Sequence, residues 1–263
     1  MKRYLPLFLI ALFFLPSLAC RSINRMTVNG SGNIITQTVN VKNFDHVTLE
    51  ASGDVYIEQG STESLTIEAD DNILPLLDTR VRGNELVLSM KPNSSINPSQ
   101  TIVYRLTVKD LQGISVKGSG DFFVEPMESS SLNVSVWGSG DVHVDGLAAN
   151  QLSIDLSGSG NIILDNMDVE TVDTLLRGSG DITLAGKADT QIVSVSGSGN
   201  YIAGDLETDS AKIRIPGSAD VTVWAKDQLT VDINGSGNIR YYGKPVVDQS
   251  GGGSGNLISL GEK

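Results

Sequence analysis

Residues 132–144 read Leu132-Asn133-Val134-Ser135-Val136-Trp137-Gly138-Ser139-Gly140-Asp141-Val142-His143-Val144. Apolar and polar side chains alternate up to the glycine tetrad and alternate again after it. That is the period-two signature of a strand, a tight turn and a second strand. Residues 152–164 repeat the pattern, with Leu152, Ile154 and Leu156 before Gly158-Ser159-Gly160-Asn161, then Ile162 and Leu164. Further along come Leu229, Val231 and Ile233 before a tetrad, and Ile182/Leu184 and Val221/Val223 after theirs. Gly-Ser-Gly-Asp/Asn tetrads begin at Gly30, Gly118, Gly138, Gly158, Gly178, Gly197, Gly235 and Gly253, with variants at Ala51 and Gly217. From Gly118 onward successive starts lie 18 to 20 residues apart, a regularity that chance does not produce.

One unit of this kind cannot bury its own apolar stripe, so neighbours must stack into a quasi-one-dimensional core. The expected fold is all-β, a right-handed parallel β-helix or solenoid of about 20 residues per coil, with coils ~4.8 Å apart. Each coil is expected to run strand, glycine turn, strand and short polar link. An antiparallel stack of hairpins is the alternative reading of the same unit; the even spacing favours the solenoid. Helical character is confined to one turn around Ile73–Leu77, interrupted by Pro75. Residues 60–117 break the repeat but keep strand patterns at Leu65/Ile67, Leu86/Leu88 and Ile102/Tyr104/Leu106/Val108. They read as an antiparallel cap that covers open edge strands, with Lys91–Pro98 as an exposed loop. Gln249–Gly255 keeps the repeat phase and reads as a frayed last coil.

The chain has 263 residues, 19 basic against 31 acidic, for a formal net charge of −12. That balance argues against nucleic-acid binding, which needs clustered Lys and Arg. A single cysteine excludes an internal disulfide. Lys2 and Arg3 followed by the apolar run Leu5–Leu15 read as a signal peptide over residues 1–19, with small residues at Ser17 and Ala19 before the cut. The sole cysteine, Cys20, then becomes the first mature residue, as in a bacterial lipobox that takes lipid there, although Ser17 stands where leucine is commoner. Ordinary secretion is the alternative. Residues 20–38 are expected to be an anchor, linker and first repeat-like segment, and 39–260 a single solenoid domain.

The tetrads, together with Ile67-Glu68-Ala69-Asp70-Asp71-Asn72-Ile73-Leu74, Gly83-Asn84-Glu85-Leu86-Val87-Leu88 and Tyr241-Tyr242-Gly243-Lys244-Pro245, resemble the bacterial auto-transporter adhesin head GIN domain family across roughly Val39 to Leu260. The resemblance implies an extracytoplasmic β-helix-like domain in which no catalytic residues are established.

Enzymatic chemistry has little to draw on. His46 and His143 are the only histidines, and both lie in strand-like stretches. His143 occupies the second position after its tetrad, where other coils carry Phe123, Ile163, Thr183 and Thr222, a tolerant surface column. No His or Cys spacing suits zinc. The tetrad glycines are read as positions needing φ > 0 or close backbone approach, with Asp or Asn capping the turn. In stacked coils Asp121 and Asp141 become neighbours, which makes them the weak candidates for a Ca²⁺ site; otherwise no cofactor is expected. Trp137 interrupts a polar column just before the tetrads. Trp224 and Tyr242 share a column that elsewhere carries Glu125, Asp145 and Asp165. These three aromatics are the candidate surface contacts for a glycan or a surface protein. The expectation is thus a non-enzymatic cell-envelope protein, exported, held to the membrane by an N-terminal lipid, and binding a partner through the solenoid surface. A ligand-free envelope scaffold and a carbohydrate-active enzyme are the rival readings.

Overall fold

The computed structural model describes residues 27–263, so the expected export segment, residues 1–19, and Cys20 lie outside the described residues. These residues fold as strands with one 3₁₀ turn, Leu74–Leu76, at the predicted single helical turn. No helix among them is long and apolar enough to cross a membrane.

Successive coils pair in parallel, which decides against stacked hairpins. Val142–Val144 lies beside Ile162–Leu164, and Leu147–Leu156 beside Met167–Leu176. Equivalent side chains therefore fall into columns one coil apart. Phe122, Val142, Ile162, Ile182, Tyr201, Val221 and Ile239 form one such column, and each is fully buried. Thr208, Gln191 and Tyr201 put polar atoms into this interior and satisfy one another: Gln191 Nε2 donates to Thr208 Oγ1 (2.9 Å) and the Tyr201 hydroxyl to Gln191 Oε1 (3.2 Å).

The polar links are more ordered than their composition suggests. Ile162–Leu176 is one continuous strand through what reads as strand, link and strand, and Tyr201–Ile215 does the same. Met127, Leu147 and Met167 stack in register on this third run and are buried. Each coil thus lays three ladders around the core, and inward apolar residues such as Met127, Leu147 and Met167 fix the link to it.

The glycine corners are set by sterics of a particular kind. Gly53 apart (φ 124°), the glycines of the stacked tetrads from Ala51 onward have no positive φ among the described residues, so left-handed backbone is not why they are there. Close approach is. A Cβ on Gly140 would lie 2.0 Å from the Gly120 carbonyl oxygen, and one on Gly160 would lie 1.9 Å from that of Gly140. The first glycine of each tetrad is crowded in the same way, Gly138 by Gly118 O (1.9 Å) and Gly158 by Gly138 O (2.0 Å), and these carbonyls accept hydrogen bonds from the next coil: Ser139 N–H to Gly118 O and Ser159 N–H to Gly138 O, both 3.0 Å.

Residues 60–117 form the expected antiparallel cap and also supply something the repeat pattern does not disclose. Within them, Glu85–Met90 and Val103–Val108 pair in parallel with His46–Leu49 and Asp54–Gln59, while those two strands pair on their other side with Gly113–Val116 and Phe122–Val124. The outermost coil is therefore built from residues that follow the second coil in sequence. Leu77–Arg82 then covers one edge antiparallel, and Ser64–Asp70, backed by Ile34–Val39, covers the other. The Lys91–Pro98 loop holds a short strand, Ser95–Asn97, parallel to Thr27–Asn29. The tetrad at Gly30 lies outside the ladder and is clasped by Asp70-Asp71-Asn72. Gly32 N–H and the Ser99 hydroxyl donate to Asp70 (2.8 and 2.6 Å), Ser31 donates to Asp71 (2.6 Å), and Ser31 N–H to Asn72 (3.0 Å). At the other end Val246–Ser250 and Leu257–Gly261 complete a last coil, in register with the one before it except for a shift between the Tyr241/Ser259 and Tyr242/Gly261 pairs.

If close approach sets the corners, Gly160→Ala should lower unfolding free energy by ~2 kcal/mol or more, as overpacking against backbone does. Gly252→Ala, where a Cβ meets nothing within 4 Å, should stay within about 0.5 kcal/mol of the parent. Urea denaturation midpoints of the two variants provide the measurement, and equal effects would refute the steric account.

Candidate functional site

The Asp and Asn residues of the tetrads cap the neighbouring coil rather than their own turn. Asp121 Oδ1 accepts the Asp141 N–H at 2.8 Å, and Asp141 Oδ1 accepts the Asn161 N–H at 2.6 Å. Asn161, Asp181, Asp220 and Asn238 each repeat the arrangement with the coil that follows. Asp220 is held below the usual carboxylate range by the Asn238 N–H and by Arg240, whose Nη1 lies 2.9 Å away. At the start of the row Asp54 stands beside Asp121, and partial burial and then the Asp121 charge push its carboxyl up. Asp121 and Asp141 are thus adjacent, as their spacing implies, with one oxygen of each committed to the backbone of the next coil. Among the described residues, no group of three or more His, Cys, Asp or Glu is arranged to hold a metal ion.

The outward column two residues after the tetrads contains a concave site that sequence reasoning missed. Register places Arg105, Tyr56, Phe123, His143 and Ile163 side by side along it. The Tyr56 and Phe123 rings stack at 5.0 Å, 17° from parallel, and the Arg105 guanidinium covers the other face of Tyr56 at 5.1 Å. Two residues further along each strand a second column carries Thr107, Glu58 and Glu125. The trough between the two columns, about 530 Å³, is closed at one end by Ser64 and Thr66 and reaches Asp145 at the other. Thr107 donates to Glu58 at 2.9 Å and Ser64 to Thr107 at 3.0 Å. Both rings remain 38% exposed although neighbours cover their faces, so they present edges, whose polarity suits oxygen atoms. Phe123 was visible in the sequence as a member of this column. Extending the column back to the variant tetrad at Ala51 adds Tyr56, but Arg105 arrives only through the out-of-order outermost coil.

Of the other candidates, Trp137 stands outward and 54% exposed, with the Lys117 ammonium 5.7 Å from its ring. Trp224 and Tyr242 are partners in register, both half-buried, and lie on a different face four and five coils along, ~19 Å or more from the Trp137 layer. The tryptophans therefore do not converge. His143 does lie on the outward column, with Nε2 3.0 Å from Asp145 and 3.5 Å from Asp165. His46 Nδ1 meets Asp45 at 2.5 Å and Asn84 at 3.3 Å. Carboxylates thus face both imidazoles.

Comparison with known proteins gives one family match, to "Putative auto-transporter adhesin, head GIN domain", over residues 43–165 and 147–245. No curated protein matches the chain. Among solved structures, a "putative lipid binding protein" from Parabacteroides distasonis is 27% identical, with TM-score 0.84, covering 89% of this chain and 100% of that one. A "putative adhesin" from Bacteroides fragilis is 26% identical, with TM-score 0.69 and the same coverage. A third, from Parabacteroides merdae, shares the fold at 22% identity and TM-score 0.83, covering 89% of this chain and 99% of its own.

The crowding of Asp54 against Asp121 has a measurable cost. The folded chain favours the protonated Asp54 carboxyl, so stability falls as pH rises through and above the ordinary aspartate value of 3.8. Asp54→Asn should therefore melt higher than the parent at pH 7, and the gain should vanish as the pH drops below that value. Thermal melts from pH 3 to 7 measure it; a gain that does not change with pH would contradict the repulsion.

Proposed function

The chain belongs to the auto-transporter adhesin head GIN domain family, and on that premise we propose that it is a non-enzymatic adhesive protein of the bacterial cell envelope. In this reading residues 1–19 direct export, Cys20 takes lipid and holds the chain to a membrane, and the solenoid presents its side face to a glycan or surface protein. The observation that carries the reading is the trough between the Arg105–Tyr56–Phe123 column and the Thr107–Glu58–Glu125 column. Binding energy at such surfaces concentrates in a few aromatic and arginine side chains set in a concavity, and these columns supply both. They are also rigid before any partner arrives, because each side chain is fixed by strands on two sides, so little ordering entropy is lost on binding. The acidic surface disfavours anionic partners at long range. Two solved relatives at more than 25% identity, one a "putative lipid binding protein" and one a "putative adhesin", support surface recognition.

No cofactor takes part in this reading. Calcium is unnecessary because the Asx oxygens along the corner row are engaged by backbone N–H groups. Added calcium should leave the melting temperature unchanged, whereas a calcium-dependent rise abolished by Asp141→Asn would restore the metal reading.

Binding of the purified protein to a glycan array and to host-cell surfaces tests the trough. Phe123→Ala should weaken binding about tenfold or more, the loss typical of a hot-spot side chain, while Ile202→Ser, further along the same column, should not. Equal binding by the two variants would refute the assignment, and products released from a polysaccharide panel would favour the enzyme reading. Cys20→Ser should move the protein from the membrane to the soluble fraction, with globomycin blocking processing of the parent. Unaltered membrane association would remove the lipid anchor.

A further inference from the structure

A second site lies on the same side of the stack and is independent of the trough. Between Ala203 and Glu207 the strand Tyr201–Ile215 carries residues with no partner in the following coil: Ala203 pairs with Val223, and Glu207 already pairs with Trp224. The intervening Gly204, Asp205 and Leu206 form a bulge. Leu206 is buried and anchors it, which turns the Gly204 carbonyl and the Asp205 carboxylate outward beside Trp224 and Tyr242. Bulges re-aim side chains in this way next to functional sites. In this column, where other coils carry acidic side chains, two aromatic residues, Trp224 and Tyr242, stand as partners in register. Gly204 makes room for them, because a Cβ there would stand 3.2 Å from the Tyr242 ring.

The resulting cage holds an ammonium group. The Lys263 Nζ lies 5.6 Å from the Trp224 ring centroid and 5.0 Å from that of Tyr242, donates to the Gly204 carbonyl at 2.8 Å and pairs with the Asp205 carboxylate. Two π faces, a carbonyl and a carboxylate around one cation are what an organic ammonium requires, and aromatic cages of this composition select such ligands. Lys263 follows the final strand, Leu257–Gly261, and its side chain is 34% exposed, so its departure breaks no ladder.

We propose that Gly204, Asp205, Trp224 and Tyr242 form a receptor for organic ammonium groups, in which Lys263 is a resident occupant that a ligand's ammonium displaces. A tethered competitor acts at an effective concentration on the order of millimolar. Exchange therefore favours ligands that present primary ammonium groups densely, such as the lysine side chains of a protein, because the Gly204 carbonyl accepts an N–H that a quaternary headgroup lacks.

The full chain with Trp137→Phe keeps Trp224 as the single fluorescent tryptophan. In that background Lys263→Gln should give a saturable change in Trp224 emission on titration with choline chloride or with Nα-acetyl-lysine methylamide, at matched ionic strength. The apparent affinity should be at least tenfold tighter than with Lys263 present. The lysine amide should bind more tightly than choline, and tighter binding of choline would overturn the protein partner in favour of a lipid headgroup. Tyr242→Leu in the same chain should abolish the change; if that variant melts early, Asp205→Asn should weaken binding without unfolding. Absence of a saturable change with either probe, or an affinity indifferent to Lys263 and Asp205, would overturn the receptor.

Discussion

The fold depends on backbone passing directly over backbone at the corners. Parallel coils must sit at strand spacing throughout, and at the tetrads the chain turns so tightly that a carbonyl of one coil occupies the volume a side chain of the next would need. Glycine is the residue that satisfies this, and the carbonyl it approaches then accepts the next serine N–H. The fourth tetrad residue adds a side-chain oxygen aimed at the same neighbouring coil. The natural exception supports this view. Where Ala219 replaces the second glycine and Pro216, which has no N–H, precedes the first, the corner is looser: a Cβ on Gly217 would sit 2.8 Å from Gly197 O rather than about 2 Å, and the Gly217 N–H bond to Val195 O lengthens to 3.3 Å. Among the described residues, no side-chain bond joins Asn200 to Asp220 at that step. A methyl group and a proline at the same corner thus go with the loss of part of its ladder.

Once the corners fix the rise, every outward position becomes a column, and function is written in which columns depart from polar residues. The trough arises where aromatic and guanidinium groups stand in one column and carboxylates in the next but one. The ammonium cage arises where the regular register fails, so that three extra residues push polar backbone and a carboxylate against two rings. Regularity builds the rigid frame, and small departures from it make the recognisable sites.

Much of this was legible in the chain itself. Tetrads and period-two alternation specify strands, corners and parallel stacking, because coil length is a direct consequence of stacking geometry. The cap was legible too, from the lapse of the repeat over 60–117. The polar links were not: a stretch such as Asp165-Asn166-Met167-Asp168 looks like a loop until Met167 is seen to be one of a buried column. Nor was Arg105 beside Tyr56, since 49 residues separate them and only the insertion of the outermost coil unites them. The Lys263 cage was equally hidden, because bulge and lysine lie 58 residues apart. Local pattern determines what each coil is, whereas contacts between coils out of sequential order depend on topology.

The order of layers bears on how the chain reaches this state. From Gly118 on, each coil docks on the one made just before it, so every loop to be closed is short. Residues 46–59, by contrast, emerge with no partner and must wait for 85–108 to settle on one flank and 113–124 on the other. Closing the intervening loop costs chain entropy before any contact rewards it. The capped end is therefore the slow-forming seed of the molecule, and vectorial growth runs away from it one rung at a time.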